Sequence, residues 1–191
     1  MRHPSYGVKD PALLCQWLSP YERFIWVAAS CKNTAQIAGC FRLETDYDLS
    51  RFHNIQPSIK HTCRPPYRVV DIGAGIVEDG KKRGLIFEGL FTLTLRLLLE
   101  AQVLGVYIQV QLRQVEQYMA LGFRPITTPF QPEGFSSWWQ GLLLRLEETP
   151  AFADPSFQNR WIEETGIALR IPFWQRVLHR VESPEGWTKH T

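Results

Sequence analysis

The chain has 191 residues, which suits one domain with a sizeable buried core. Its 21 Lys and Arg against 19 Asp and Glu leave a formal charge of +2. That balance excludes the global basicity of a nucleic-acid binder, so any cationic partner surface must be local.

The opening residues MRHPSYGVKDP lack the apolar stretch of a secretory signal. The four cysteines, Cys15, Cys31, Cys40 and Cys63, form no C-x-x-C pair and no Cys/His ligand spacing. Free thiols in a cytoplasmic protein without a metal are the simplest expectation. Seven Trp and eleven Phe are a heavy aromatic load, part of which is expected to line a pocket or an interface.

The first predicted element is a short helix over Asp10–Leu18, with an N-cap aspartate followed by proline. Arg23–Ser30 and Ala35–Glu44 are apolar, partly β-branched runs around a turn-like CKNT, and predict an antiparallel hairpin. The polar, proline-bearing residues 45–66 predict a long loop, of the kind that tends to carry function. Tyr67–Val77 reads as a strand whose Gly73 and Gly75 mark a bulge or a close backbone approach by a ligand.

A basic stretch, VEDGKKRG, leads into a leucine-rich helix expected over Leu85–Leu104. Its Glu88, Thr92, Arg96 and Glu100 recur every four residues, a single polar stripe whose charges argue against a membrane span. A strand over Gly105–Leu112 follows, then a helix over Arg113–Gly122 closed by its glycine. Phe123–Thr127 and Ser136–Glu148 predict two more strands. The tail predicts two helices, one between Asp154 and Gly166 and one over Ile171–Ser183. The order is β-β-loop-β-α-β-α-β-β with a helical tail, and the strands flanking the long helix should form a right-handed parallel pair.

This order, together with EQYMALGFRPI, resembles the GNAT acyltransferase superfamily. Tyr118 stands four residues before the Gly122-Phe123 pair that opens the next strand, as in the family's second conserved block. QIAGCFRLE is similar to its earlier hairpin strand, and the resemblance spans roughly residues 23–148. The segment RVVDIGAGIVEDGKKRG, with Asp71-Ile72-Gly73, looks more like the branch of N-acyl amino acid and acyl-homoserine-lactone synthases. Ala74 stands where that branch often has arginine.

The resemblance implies an α/β (α+β) fold: a mixed, mostly antiparallel sheet with a central splayed parallel pair and flanking helices. Residues 1–149 would form that domain with a short N-terminal region. Residues 150–191 would be a helical extension packed on the same domain or on a dimer partner, covering a sheet edge left exposed by the short N-terminus. The implied activity is acyl transfer from a phosphopantetheine thioester to an amine, with no permanent cofactor.

Gly75, Ile76 and Val77 are the backbone expected beside the pantetheine arm. Lys81, Lys82, Arg83, Gly84, Leu85 and Ile86 align with the family's Q/R-x-x-G-x-G/A loop, where amides and a helix N-terminus meet a phosphate. Ile86 occupies the last small position of that loop. A carrier protein offers one phosphodiester instead of a pyrophosphate and is acidic, so exposed cations suit it; acyl-CoA and acyl-carrier protein both remain open as donors. Tyr118 is the implied general acid, and Asp71, Glu44 and Glu78 are the candidates for base or ammonium anchor. A fatty acyl donor and an amino acid-like acceptor are expected. The alternatives are an acetyl-CoA-dependent N-acetyltransferase, or an inactive GNAT-like module that binds an acyl ligand or a protein.

Overall fold

The computed structural model describes residues 24–30, 36–44, 69–77, 83–100 and 102–183. The helix expected over Asp10–Leu18, the loop at 45–66, and the site candidates Glu78, Lys81 and Lys82 lie outside the described residues.

Among the described residues six strands form one sheet: β1 (Phe24–Ser30), β2 (Ile37–Glu44), β3 (Val69–Val77), β4 (Gly105–Gln111), β5 (Arg124–Pro125) and β6 (Trp139–Arg145). Their spatial order is β1-β2-β3-β4-β6-β5. All neighbours are antiparallel except β3 and β4, which are joined through the long helix α1 (Arg83–Glu100) and run parallel. This is the expected mixed, mostly antiparallel sheet with one central parallel pair.

Several boundaries are narrower than expected, β6 among them, and two of the differences have local reasons. Helix α1 ends at Glu100 because Gln102 turns left-handed, at φ 55°, and Val103 N–H donates back to the Leu98 carbonyl. The leucine pattern runs past that turn and hides it. Strand β5 is only two residues long, since Pro125 has no N–H to give to a ladder.

After β4, a 3-10 turn (Leu112–Gln114) leads into the short α2 (Val115–Met119). Gly122, at φ 84°, ends this segment, and Phe123 N–H donates to the Tyr118 carbonyl at 3.1 Å. A Cβ on Gly122 would stand 2.5 Å from the Phe152 ring, so both backbone and packing require glycine there.

Beyond β6, a 3-10 segment (Leu146–Ala153) precedes α3 (Pro155–Thr165) and α4 (Ile171–Glu182). The Asp154 side chain accepts from Ser156 N–H, and Gly166 closes α3 in the left-handed conformation, as its sequence signals indicate. No described helix is long and apolar enough to cross a membrane.

The core lies on one face of the sheet. Leu90, Phe91, Leu95 and Leu98 of α1 pack with Phe41, Leu43, Val70 and Val106 of the strands. Helix α4 rests on α1 and on the 3-10 segment, and not principally on the hairpin. Its Phe173, Trp174 and Val177 are buried there, each worth about 1.5–3 kcal/mol.

The same interface buries Glu88, the first member of the polar stripe on α1. Arg176 binds both of its carboxylate oxygens, and Arg180 Nη1 donates to Oε1 at 2.9 Å. The stripe is therefore roofed by α4 at its start and reaches solvent only toward Glu100.

Candidate active site

Strands β3 and β4 pair over only three positions: Val69 with Gly105, Val70 with Val106, and Asp71 with Tyr107. Beyond that point β3 continues to Val77 against β2, and β4 continues to Gln111 against β6. The two central strands thus diverge and leave a gap between them. A register shift in β2–β3 between Cys40 and Arg42 accompanies the divergence; such an irregularity increases local twist and bends a strand away from its neighbour. Gly75, Ile76 and Val77 lie on the diverging part of β3. Among the described residues their backbone has no ladder partner in β4.

A cavity of about 620 Å³ opens at this gap; Ile108 and Val110 border it from the α1 face of β4, and Gln109, with Trp139 of β6, borders it from the other face. Its floor is apolar, with Phe41, Phe91, Ile108, Phe123 and Trp139 all buried. Its rim is polar and cationic: Arg83 and Gly84 at the start of α1, Arg113 and Gln117 around α2, and Arg170 leading α4. Among the described residues no acidic side chain lines it.

Tyr118 lines the cavity, half-buried and edge-on to the Phe123 ring at 5.7 Å. Burial raises its phenol pKa, and the nearby Arg83 guanidinium opposes that shift. The hydroxyl therefore holds its proton at neutral pH. Of the expected phosphate loop, Arg83 and Gly84 reach the cavity. The Leu85 side chain is exposed, and Ile86 packs against the core instead of lining the site.

Asp71 and Glu44 are elsewhere. Asp71 alternates with the cavity-lining Ile72, so its carboxyl points to the opposite face of the sheet, where Glu44 is its cross-strand partner. Asp71 is buried, and its Oδ1 finds no hydrogen-bond partner among the described residues. Burial pushes its pKa up to about 7; Arg42 works against this, and Glu44 adds to it. Tyr118 thus lines the cavity, whereas neither Asp71 nor Glu44 does.

Several residues of the site are not evident in isolation. Arg42 lies directly over Gly73, where a Cβ would stand 2.6 Å from its Nη2. Tyr107, fully buried beside Asp71, packs over Gly141; its pKa is raised by burial and further by the Asp71 charge. A signal for these existed: Arg42 and Glu44 alternate with Phe41 and Leu43, and Tyr107, Gln109 and Gln111 with Val106, Ile108 and Val110. That alternation marks a polar face of the sheet. Arg113 and Arg170 carry no such signal, because only tertiary packing brings them to the rim.

No family model and no curated protein sequence matches the chain. Its fold is similar to FeeM, an N-acyl amino acid synthase from uncultured soil microbes, with a TM-score of 0.56 and 15% identity, covering 74% of this chain and 82% of that one. It is also similar to Arabidopsis thaliana NAA60, solved in complex with acetyl-CoA, with a TM-score of 0.51 and 14% identity, covering 73% and 86%. With the three-pair parallel junction and the cavity at the opened strands, these likenesses establish the architecture: the chain has the GNAT fold.

Proposed function

We propose that the protein is an N-acyltransferase that moves an acyl group, fatty rather than acetyl, from a phosphopantetheine thioester to the amine of an amino acid-like acceptor. The observation that carries this reading is the cavity at the β3–β4 gap, with its apolar floor and cationic rim. An acyl thioester has that polarity: an apolar chain at one end and a phosphate at the other. Elsewhere Arg96, Arg124, Arg145, Arg176 and Arg180 each pair with a glutamate, whereas Arg113 and Arg170 make no ion pair among the described residues. The likeness to a synthase of acylated amino acids agrees with the acceptor class.

In this reading the thioester carbonyl sits in the gap, held by backbone amides of the diverging β3. The acceptor approaches from the Asp71 face. Ionised Asp71 takes a proton from the ammonium, and the free amine attacks the carbonyl carbon. The new C–N bond forms, the C–S bond breaks, and the leaving thiolate takes its proton from Tyr118; the second nitrogen proton is lost as the amide forms and restores the phenol by way of solvent, and Asp71 releases its own proton to solvent. Glu44, opposite Asp71, would anchor the incoming ammonium. Arg83 and Gly84, with Lys81 and Lys82 preceding them in the chain, are assigned to the donor phosphate. The protein would act without a permanent cofactor.

The test is to incubate the protein with acetyl-CoA, long-chain acyl-CoA and acyl-carrier protein against a panel of amines, and to follow products by mass spectrometry. Long-chain acyl amides are expected. Acetyl amides alone would replace the fatty acyl assignment, and no product from any donor would leave a binding module in place of an enzyme. Comparing the two long-chain donors distinguishes free coenzyme A from a carrier protein.

A further inference from the structure

Behind the cavity floor, the C-terminal extension touches the helix that lines it. Phe91 of α1 faces the cavity and is only 5% exposed. Its ring lies 5.5 Å from that of Phe173 and 5.8 Å from that of Trp174, both on α4. Trp174 is itself held edge-on to Phe152 at 4.9 Å. One turn before Phe91, the Glu88 ion pairs with Arg176 and Arg180 tie the same two helices together. Toward the sheet, Phe87 stacks on Phe91 at 6.0 Å and meets Phe41 at 5.7 Å. Interiors packed at this density leave little slack, so Phe91 can retreat only if α4 moves.

We propose that Phe91, wedged from behind by Phe173 and Trp174, ends the apolar floor of the cavity and sets the longest acyl chain the donor can carry. The C-terminal extension is then a specificity element as well as a packing one. This inference rests on the reading that the cavity takes an acyl thioester, and it adds where the chain must stop. While the chain is short of the ring, each further methylene deepens burial and tightens binding about fourfold. Once it reaches Phe91, a further methylene meets an overpacked wall and the trend reverses.

The test is calorimetric titration of the full-length protein with straight-chain acyl-CoA thioesters from acetyl to palmitoyl. Wild type, Phe91→Leu and Phe173→Leu are compared, each shown to be folded by its thermal unfolding transition. Wild-type affinity should climb with length to a limit and then fall. In both variants the limit should move to a longer chain, by about one carbon, because the smaller side chain frees the space of roughly one methylene. Phe173→Leu approaches the wedge from its other side and keeps the test decisive if Phe91→Leu does not fold. An unchanged limit in a folded variant that still binds thioesters overturns the stop at Phe91 and leaves acyl transfer standing. If folded wild-type protein binds no thioester of any length, the acyl-transfer reading falls, and the stop falls with it.

Discussion

Asp71 and Tyr107 face each other across β3 and β4 as the last residue pair before the two strands part. Both are buried, and both side chains lie on the face of the sheet opposite α1, the face from which Gln109 borders the cavity. A carboxyl at the head of the gap stands where a nucleophile crossing the sheet would meet an electrophile on the other side. Its unpartnered Oδ1 is a cost to the fold, of the kind that accumulates where a site is kept ready for a ligand.

Asp71 should make both stability and rate depend on pH. Its folded-state pKa of about 7 lies above the ordinary carboxylate value, so the native state binds the extra proton more tightly than the unfolded chain. The group's contribution is fully present below about pH 4 and is lost as pH rises toward 7, at roughly 1.4 kcal/mol per pKa unit. Asp71→Asn should remove that slope, so that urea unfolding shows the variant gaining on wild type between pH 5 and pH 8. As the base, Asp71 must be ionised. The kcat/KM of wild type should therefore climb toward pH 7, and the variant should lose that limb with about 10²- to 10⁴-fold in rate. Parallel pH profiles for the two proteins would remove Asp71 from the mechanism.

Tyr118→Phe deletes one oxygen and keeps the ring contact with Phe123. If the phenol protonates the leaving thiolate, kcat should fall about 10²- to 10³-fold while the donor KM changes little. The unfolding temperature should barely move. A variant as fast as wild type would show that the thiolate takes its proton from elsewhere.

The rim arginines should act on donor affinity alone. Arg113→Gln and Arg170→Gln each remove one exposed cation from a rim without acidic neighbours among the described residues. The donor KM should rise roughly threefold to tenfold for each, with kcat unchanged. Added salt should weaken donor binding in wild type and weaken it less in either variant. Equal salt slopes in all three proteins would argue against phosphate recognition at this rim.

The clamp between α1 and α4 should be asymmetric. The Glu88 side chain is 6% exposed, against 51% for Arg176 and 42% for Arg180. Removing both arginines strands a buried carboxylate, at a cost of about 3–5 kcal/mol. Glu88→Gln leaves two cations that already reach water, and should cost about 1–2 kcal/mol. The hydrogen bonds from Arg176 hold the Glu88 pKa below its ordinary value, so wild type should also lose this stabilisation as pH falls through that lowered pKa. Denaturant midpoints of the three proteins check the ordering; a Glu88→Gln protein weaker than the double variant would contradict it.

Much of this fold was legible because several signals are local. Asp154, Pro155 and Gly166 bracket α3 where capping chemistry places them, and Tyr118, Gly122 and Phe123 mark the turn that sets the proposed acid. What could not be read was tertiary. A glutamate recurring with Thr92, Arg96 and Glu100 reads as the wet side of a helix, yet Glu88 is buried because α4 brings two arginines to it. Arg170 is distant in sequence from everything else at the rim. A position in a strand marks Asp71, but the face its carboxyl takes depends on the register of four strands together.

The brief pairing of β3 with β4 has a consequence for how such a protein can diversify. A continuous sheet is a wall, and a reaction between two molecules would have to take place in one chamber shaped for both. Here the hydrogen bonds between β3 and β4 stop after three pairs, so the two faces communicate at the gap and, in the proposed reaction, each can be shaped for one substrate. In the proposed acyl transfer, substitutions around Phe87 and Phe91 would act on the donor, and substitutions around Arg42 and Tyr107 on the acceptor.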